Sequence, residues 1–134
     1  MADNNQFNLR IIAPDRIFYQ GAVDMVEFNT TEGEIGVLPG HIPMTVIISP
    51  GILAIHEADT VKEAALHAGF AEILPDRITI LAEVIEWPGE INKERARNAA
   101  DRAQRRLEQQ TPDIDVLRAE VALKRALTRI SVVE

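Results

Sequence analysis

The sequence predicts an α+β protein, in which an N-terminal antiparallel β-sandwich over residues 1–87 precedes a C-terminal antiparallel two-helix hairpin over residues 88–134. Three observations predict this fold class. Up to about Glu86, short apolar or alternating runs are separated by Gly, Pro and Asp. After Trp87-Pro88-Gly89 the composition changes abruptly to Ala, Arg, Glu and Gln, which are strong helix formers. Pro112 then divides the helical part in two, because proline interrupts a helix.

The first part of the chain predicts a series of short strands. Phe7, Leu9 and Ile11 alternate with Asn8 and Arg10, the pattern of a strand with one buried face. Further runs at similar spacing are typical of a sandwich or barrel. They cover residues 23–28, 35–38, 45–48, 52–55, 61–67, 70–74 and 78–85. The predicted turns between them contain Pro14-Asp15, Pro39-Gly40, Pro50-Gly51 and Pro75-Asp76.

The second part predicts two helices. The first runs from Ile91 to about Leu107, and the second, with Asp113 as its N-cap, runs to about Ile130. The second helix carries apolar residues at helical spacing, namely Val116, Ala119, Leu123, Ala126, Ile130 and Val133. The first presents a face of small side chains, Ala96, Ala99, Ala100 and Ala103. Since alanines bury little area, we expect the hairpin to detach easily.

Charge is distributed unevenly along the sequence. Residues 1–90 contain 4 Lys or Arg against 14 Asp or Glu, whereas residues 91–134 contain 10 against 7, so the two parts should meet different partners. The net charge of −7 argues against nucleic-acid binding, because neutralisation of phosphates supplies most of that affinity. With no cysteine, no basic-then-apolar leader and no long apolar run, the sequence predicts a protein on the cytoplasmic side of a membrane.

No catalytic or metal-binding motif stands out. Ser49 and Ser131 lie outside any nucleophile-elbow motif, and the sequence has no phosphate-binding loop of the Walker type. His41, His56 and His67 lack companions at metal-ligand spacing, so we expect no metal site and interpret them as satisfied surface or turn histidines. A stand-alone enzyme is therefore disfavoured.

Arginines form the strongest pattern in the helical part. Arg95 and Arg102 share one face of the first helix, while Arg118, Arg125 and Arg129 share one face of the second. Adjacent arginine faces could hold an anion such as a phosphate, could meet an acidic partner protein, or could simply be solvated. Spacing alone leaves all three open.

Two segments resemble a known family. The run from Glu32 to Pro43, Glu-Gly-Glu-Ile-Gly-Val-Leu-Pro-Gly-His-Ile-Pro, and the helical ending from Leu123 to Val132 are similar to the epsilon subunit of bacterial F-type ATP synthase. This resemblance implies a non-catalytic central-stalk subunit, peripheral to the cytoplasmic face of the bacterial cell membrane. It implies that the sandwich packs on the gamma subunit and rests on the c-subunit ring, with Glu34 and His41 in the ring contact. It also implies a hairpin that extends into the alpha/beta catalytic hexamer and blocks ATP hydrolysis.

The hairpin is most similar to the Bacillus-like branch, which implies that its folded form binds ATP, with or without Mg²⁺, as a regulatory ligand and needs no other cofactor. The family motif Ile/Leu-Asp-x-x-Arg-Ala matches Ile91-Asn92-Lys93-Glu94-Arg95-Ala96, where Asn92 replaces the family Asp. An amide can still accept and donate hydrogen bonds, so the substitution affects the expected affinity and Mg²⁺ dependence. The residues that the resemblance assigns to the ATP site are Glu86, Ile91, Asn92, Arg95, Ala96, Arg102, Arg125 and Arg129.

A hypothesis from a different class is a free-standing β-domain adaptor whose helical hairpin binds a protein partner. It predicts the same fold without any role in a synthase, and co-purification with a gamma subunit would discriminate the two.

Overall fold

The structure is a computed structural model that describes residues 5–109 and 115–134. In that part of the chain it contains eight strands followed by a 3₁₀ turn and two helices. The strands are β1 (Phe7–Ala13), β2 (Arg16–Val23), β3 (Met25–Thr30), β4 (Gly33–Val37), β5 (Met44–Ile47), β6 (Gly51–His56), β7 (Val61–Ile73) and β8 (Arg77–Glu86). The turn covers Pro88–Glu90, and the helices are α1 (Lys93–Gln109) and α2 (Val116–Val133). The predicted α+β architecture is confirmed.

The strands are hydrogen-bonded in the order β2-β1-β8-β7-β6-β3-β4, and β5 pairs with β7 beside this path. One pair departs from the predicted antiparallel arrangement: β1 runs parallel to β8, with Leu9 opposite Ile78 and Ile11 opposite Ile80. A parallel pair needs a long connection, which the six intervening strands supply. The alternation of apolar and polar residues indicates which face of a strand is buried. It carries no information on whether the paired strand runs parallel or antiparallel.

Two strand predictions also differ from the structure. β2 follows the Pro14-Asp15 turn and was not predicted, since its burial pattern is irregular and includes the exposed Ile17. The two runs predicted on either side of Gly69 are one strand, β7, whose pairing with β8 shifts register at Ala68 and Gly69. Gly69 has φ of +138°, and a Cβ atom there would lie 2.1 Å from the carbonyl oxygen of Leu81. Glycine therefore permits the bulge without ending the strand.

The core lies inside the sandwich and is mostly aliphatic, with Phe7, Phe18 and Phe28 as its buried aromatic residues. Strand β1 buries alternate residues, and Leu9 and Ile11 are fully buried, as their alternation predicted. The other large, fully enclosed side chains include Phe28, Leu53, Ile55, Leu66, Ile73, Ile78 and Ile80. Burial of such side chains is the main favourable term in forming the sandwich.

Helix α1 begins later than predicted. Ile91 has an extended backbone and lies outside the helix, while Asn92 accepts a hydrogen bond from the Arg95 N–H at 3.0 Å and caps the helix. Of the predicted alanine face, Ala96 and Ala103 are buried, and Ala99 and Ala100 are half-buried.

Helix α2 also begins later than predicted. The predicted N-cap, Asp113, lies outside the described residues; Asp115 caps the helix, accepting a hydrogen bond from the Arg118 N–H at 3.0 Å. The predicted apolar stripe is only partly right, since Thr128 and Val132 are buried whereas Val116 is 50% exposed. Helix α2 packs on both α1 and strands β6 and β7, so its buried arc is wider than one stripe.

Candidate functional site

Between strand β8 and helix α1, the chain is anchored by an aromatic stack and a carboxylate. Trp87 stacks on Phe18 of β2, with ring centroids 4.2 Å apart and planes inclined by 17°. The Glu90 carboxylate accepts hydrogen bonds from Arg16 Nη2 at 2.8 Å and from Trp87 N at 2.9 Å, and these two bonds lower the pKa of Glu90. The junction up to Glu90 is therefore attached to the sandwich.

Strand β7 has four successive buried residues where it passes under the hairpin. Ala64 and Leu66 belong to the core of the sandwich, whereas Ala65 and His67 point to the other face of the strand. Helix α2 covers that face. His67 is 1% exposed, so its interpretation as a surface or turn histidine is wrong. The unbroken apolar run around it was the available signal, because strands covered on both faces lack polar alternation.

One carboxylate oxygen contacts both the sandwich and the hairpin. Oε1 of Glu86, at the end of β8, lies 3.1 Å from His67 Nε2 and 2.7 Å from Arg129 Nε. The side chains of Glu86 and Arg129 are 27% and 28% exposed, so this ion pair is partly shielded from water. Such partly shielded charged hydrogen bonds are stronger than those on an open surface.

Burial is the largest influence on the pKa of His67, and it lowers that pKa. The positive charges of Arg129 and Arg125 act in the same direction, while Glu86 opposes them. His67 Nδ1 is buried without a hydrogen-bond partner among the described residues. Neutral histidine with the proton on Nε2 fits this environment, since Nε2–H then donates to Glu86.

The junction, α1, α2 and the end of β8 enclose a cleft of about 270 Å³. Seven of the eight residues predicted for a nucleotide site line it, and Arg125 is the exception. The cleft residues are Glu86, Glu90, Ile91, Asn92, Arg95, Ala96, Ala99, Arg102 and Arg129. Glu90 and Ala99 were not predicted, although Ala99 lies one turn beyond Arg95 on the same helix face.

The cleft carries positive charge that the described residues do not neutralise locally. Its two carboxylates already have partners, since Glu86 pairs with Arg129 and Glu90 pairs with Arg16. Within residues 5–109 and 115–134, neither Arg95 nor Arg102 takes part in an ion pair. Both side chains are on exposed positions of α1 at the rim of the cleft. Two arginines in this arrangement favour an anion.

Arg125 lies one turn before Arg129 on α2 and does not line the cleft. Its Nε is buried and has no acceptor among the described residues. Its charge nevertheless reaches His67, whose pKa it helps to lower. Arg118, predicted on the same face, is exposed and lies at the other end of α2.

Glu34 and His41 occupy separate places near the β4–β5 connection. Glu34 is exposed on β4, while His41 is half-buried in the loop and its Nδ1–H donates to the Ile42 carbonyl at 2.7 Å. Two exposed apolar side chains, Leu38 at 56% and Ile42 at 69%, flank His41. Glu34 borders two cavities that do not include His41, and the contact of either residue with a partner stays a prediction.

An apolar groove of about 560 Å³ lies on the sandwich around the Gly69 bulge. Three of its side chains are large and well exposed, namely Ile47 at 63%, Phe70 at 44% and Leu81 at 38%. Strands β1, β5, β7 and β8 supply the walls. Contiguous exposed apolar surface is unfavourable in water, and in proteins it often forms part of an interaction surface.

Two further properties concern metals and membranes. In the portion of the chain that the structure describes, no three His, Asp or Glu side chains are grouped so that they could hold a metal ion. Neither α1 nor α2 is long and apolar enough to cross a membrane.

Both parts of the chain match known family models. Residues 6–88 match the β-sandwich domain of the ATP synthase delta/epsilon chain, and residues 90–134 match its long α-helix domain. The ATP synthase epsilon chain of Halalkalibacterium halodurans is 44% identical over 93% of this chain and 95% of its own length. The corresponding chain of Bacillus licheniformis is 40% identical over 92% and 95%. These matches favour the synthase family over the alternative hypothesis of a free-standing β-domain adaptor.

A solved structure also resembles the fold. A chain of the Euglena gracilis mitochondrial ATP synthase, in an OSCP/F1/c-ring structure, superposes with a TM-score of 0.83 at 25% identity, covering 97% of this chain and 82% of that one. A Tetrahymena thermophila central stalk/c-ring chain has the same fold, with a TM-score of 0.56 at 13% identity.

Proposed function

The chain belongs to the ATP synthase delta/epsilon chain family, as an epsilon subunit of the central stalk, and from that premise we propose that its helical hairpin regulates ATP hydrolysis and binds ATP when docked. In this proposal the protein is a regulatory subunit and carries out no chemistry of its own. The observation that carries it is the cleft in which seven residues of the predicted nucleotide site meet.

The cleft suits a phosphorylated ligand. Arg95 and Arg102 supply cationic groups whose planar N–H donors match phosphate oxygens, and Arg129 lies on the facing helix. The volume of the cleft is close to the lower end of the range for small-molecule pockets, about 300 Å³, so a nucleotide would fill the cleft completely. A ligand held by both helices stabilises the docked hairpin, because its contacts exist only when α1, α2 and the junction are together.

Docking would then follow the ATP concentration. ATP shifts the equilibrium by its difference in affinity between the docked and the extended hairpin. When ATP is scarce, the extended hairpin enters the alpha/beta hexamer and blocks hydrolysis. The hairpin is the basic part of the chain, so its contact with acidic partner surfaces weakens at high salt.

The sandwich supplies the permanent attachment in this proposal. Its apolar groove around Ile47, Phe70 and Leu81 supports a contact with the gamma subunit, and the loop with His41, together with Glu34, supports one with the c-subunit ring. Ile47→Glu places a charge in the groove at an exposed position and should abolish co-purification with gamma. Val61→Glu, exposed at the opposite end of β7, is the matched control and should co-purify normally. Equal recovery of both variants would contradict the assignment of the groove.

Calorimetric titration of the full chain with ATP tests the nucleotide site. The wild-type chain should bind, and Arg102→Ala should bind about ten-fold or more weakly, since charged hydrogen bonds contribute roughly 1.5–3 kcal/mol. Arg105→Ala is the control, because Arg105 is exposed on the same helix and does not line the cleft. Absence of heat at millimolar ATP, or identical isotherms for wild type and Arg102→Ala, would count against the proposal.

A further inference from the structure

His67 occupies a position that the ATP proposal does not explain. It lies on strand β7 of the sandwich, and helix α2 of the hairpin covers it so completely that its side chain has no exposed surface. A histidine at a surface that opens and closes is buried in one state and hydrated in the other. Its protonation can therefore be linked to the movement of the hairpin.

The docked arrangement accommodates one proton on the imidazole. With the proton on Nε2, the ring donates to Glu86 at 3.1 Å. A second proton on Nδ1 would be buried without an acceptor among the described residues. An unsatisfied buried N–H with a positive charge is strongly unfavourable.

The charges that face His67 come from both parts of the protein. Strand β8 contributes the Glu86 carboxylate, and helix α2 contributes the guanidinium groups of Arg125 and Arg129. Across the cleft, helix α1 adds Arg95 and Arg102, while Glu90 at the junction is paired with Arg16. When the hairpin leaves, the arginines of α1 and α2 leave with it and Glu86 remains beside His67.

We propose that His67 makes docking of the hairpin sensitive to protons: the imidazole is neutral under the docked hairpin and takes up a proton when α2 departs, so acid favours the extended form. This inference rests on the proposed detachment of the hairpin and identifies a second regulator of it besides ATP. Release of α2 hydrates the ring, removes the flanking positive charges and leaves the carboxylate, and all three changes favour imidazolium.

The direction and range of the effect follow from linkage. The pKa of His67 is lowered in the docked chain, so well above the ordinary value of 6.5 both forms are neutral and docking is independent of pH. Below 6.5 only the undocked form gains the proton, and docking weakens by up to about tenfold per pH unit until the docked pKa is reached. The other two histidines make local contacts, His56 with Glu27 and His41 with Ile42, within the sandwich.

Energy transfer within the full chain measures docking as a function of pH. Trp87, the only tryptophan, is fixed to the sandwich and serves as donor, and a dansyl group on Glu120→Cys, an exposed position of α2, serves as acceptor. The chain has no other cysteine, so labelling is specific. Between pH 7.5 and 5.5 the docking constant of wild type should fall about tenfold or less, whereas His67→Gln should show no such fall. His56→Gln, the control, should behave as wild type.

A fall of equal size in His67→Gln, or a constant wild-type value across this range, would overturn the inference. An NMR titration of the wild-type His67 imidazole does not depend on the variant folding: His67 should titrate below the ordinary value of 6.5, and titration at or above that value would also overturn it. Hydrogen exchange at pH 7.5 distinguishes failure of the proton linkage from failure of the proposed function. If α2 opens more readily than the sandwich but without pH dependence, only the proton linkage fails. If α2 exchanges only through global unfolding, detachment itself fails and the inference falls with it.

Discussion

Arg129 Nε on helix α2 lies 2.7 Å from Oε1 of Glu86 at the end of strand β8. Since His67 Nε2 contacts the same oxygen, one carboxylate connects β7, β8 and α2. Helix α2 also packs on strands β6 and β7, and Lys124 Nζ lies 3.4 Å from Ser49 Oγ. The ion pair between Glu86 and Arg129 adds to this packing a charged hydrogen bond that is partly shielded from water, so its loss should weaken the attachment between hairpin and sandwich.

Arg129→Ala should weaken that attachment. The change removes a charged hydrogen bond and leaves a half-buried carboxylate, at a cost of about 1–3 kcal/mol. Native-state hydrogen exchange should show faster exchange in α2 with little change in the core strands. Arg118→Ala, an exposed arginine on the same helix, should leave α2 exchange as in wild type. Similar protection in both variants would contradict the role given to Glu86 and Arg129.

Asn92→Ala should destabilise helix α1 by about 1 kcal/mol, because the side chain caps the helix through Arg95 N–H at 3.0 Å. Asn92→Asp should stay within about 0.5 kcal/mol of wild type, since aspartate caps equally well. Urea unfolding followed by the helical circular-dichroism signal measures both. Equal stability of wild type and Asn92→Ala would show that the cap is unimportant.

Much of this architecture could be predicted from sequence, because apolar alternation and helix-forming composition report local structure. The parallel pairing of β1 with β8 could not, since pairing direction is set by tertiary folding. The start of α2 was placed at Asp113 instead of Asp115 because several residues of similar capping propensity follow one another.

The residues of the candidate site could likewise be predicted only in part. Resemblance brought together Glu86, Arg95, Arg102 and Arg129, which the fold places around one cleft. His67 was missed, because its role depends on Arg125 and Arg129 of α2, which follow it by 58 and 62 positions in the chain. The ion pair between Arg16 and Glu90 joins residues 74 positions apart in the sequence. No local sequence pattern could indicate such a contact.

Gly69→Ala should destabilise the sandwich by about 3 kcal/mol or more, because a positive φ is costly for alanine and the added methyl group meets Leu81 O at 2.1 Å. Gly36→Ala is the control, since its nearest neighbours lie 3.8 Å away and its φ is not positive. That variant should remain within about 1 kcal/mol of wild type. Thermal denaturation compares the two, and tolerance of alanine at Gly69 would show that the bulge is absent in solution.

Phe18→Leu should disturb the environment of Trp87. Loss of the stacked ring should cost about 0.5–1.5 kcal/mol beyond lost area, and tryptophan emission should shift towards that of a hydrated indole. Phe7→Leu, at another buried position outside this stack, should lower stability without altering emission. Unchanged emission in Phe18→Leu would contradict the anchoring of the junction.

The regulatory role of the hairpin is tested most directly by ATP hydrolysis in a synthase assembled with a chain that ends at Glu90. Co-purification with gamma first establishes that the shortened subunit is present. The account predicts normal assembly and a higher rate of hydrolysis than with the full chain, because the inhibitory element is gone. An assembled complex whose hydrolysis rate equals that of the complex with the full chain would contradict it.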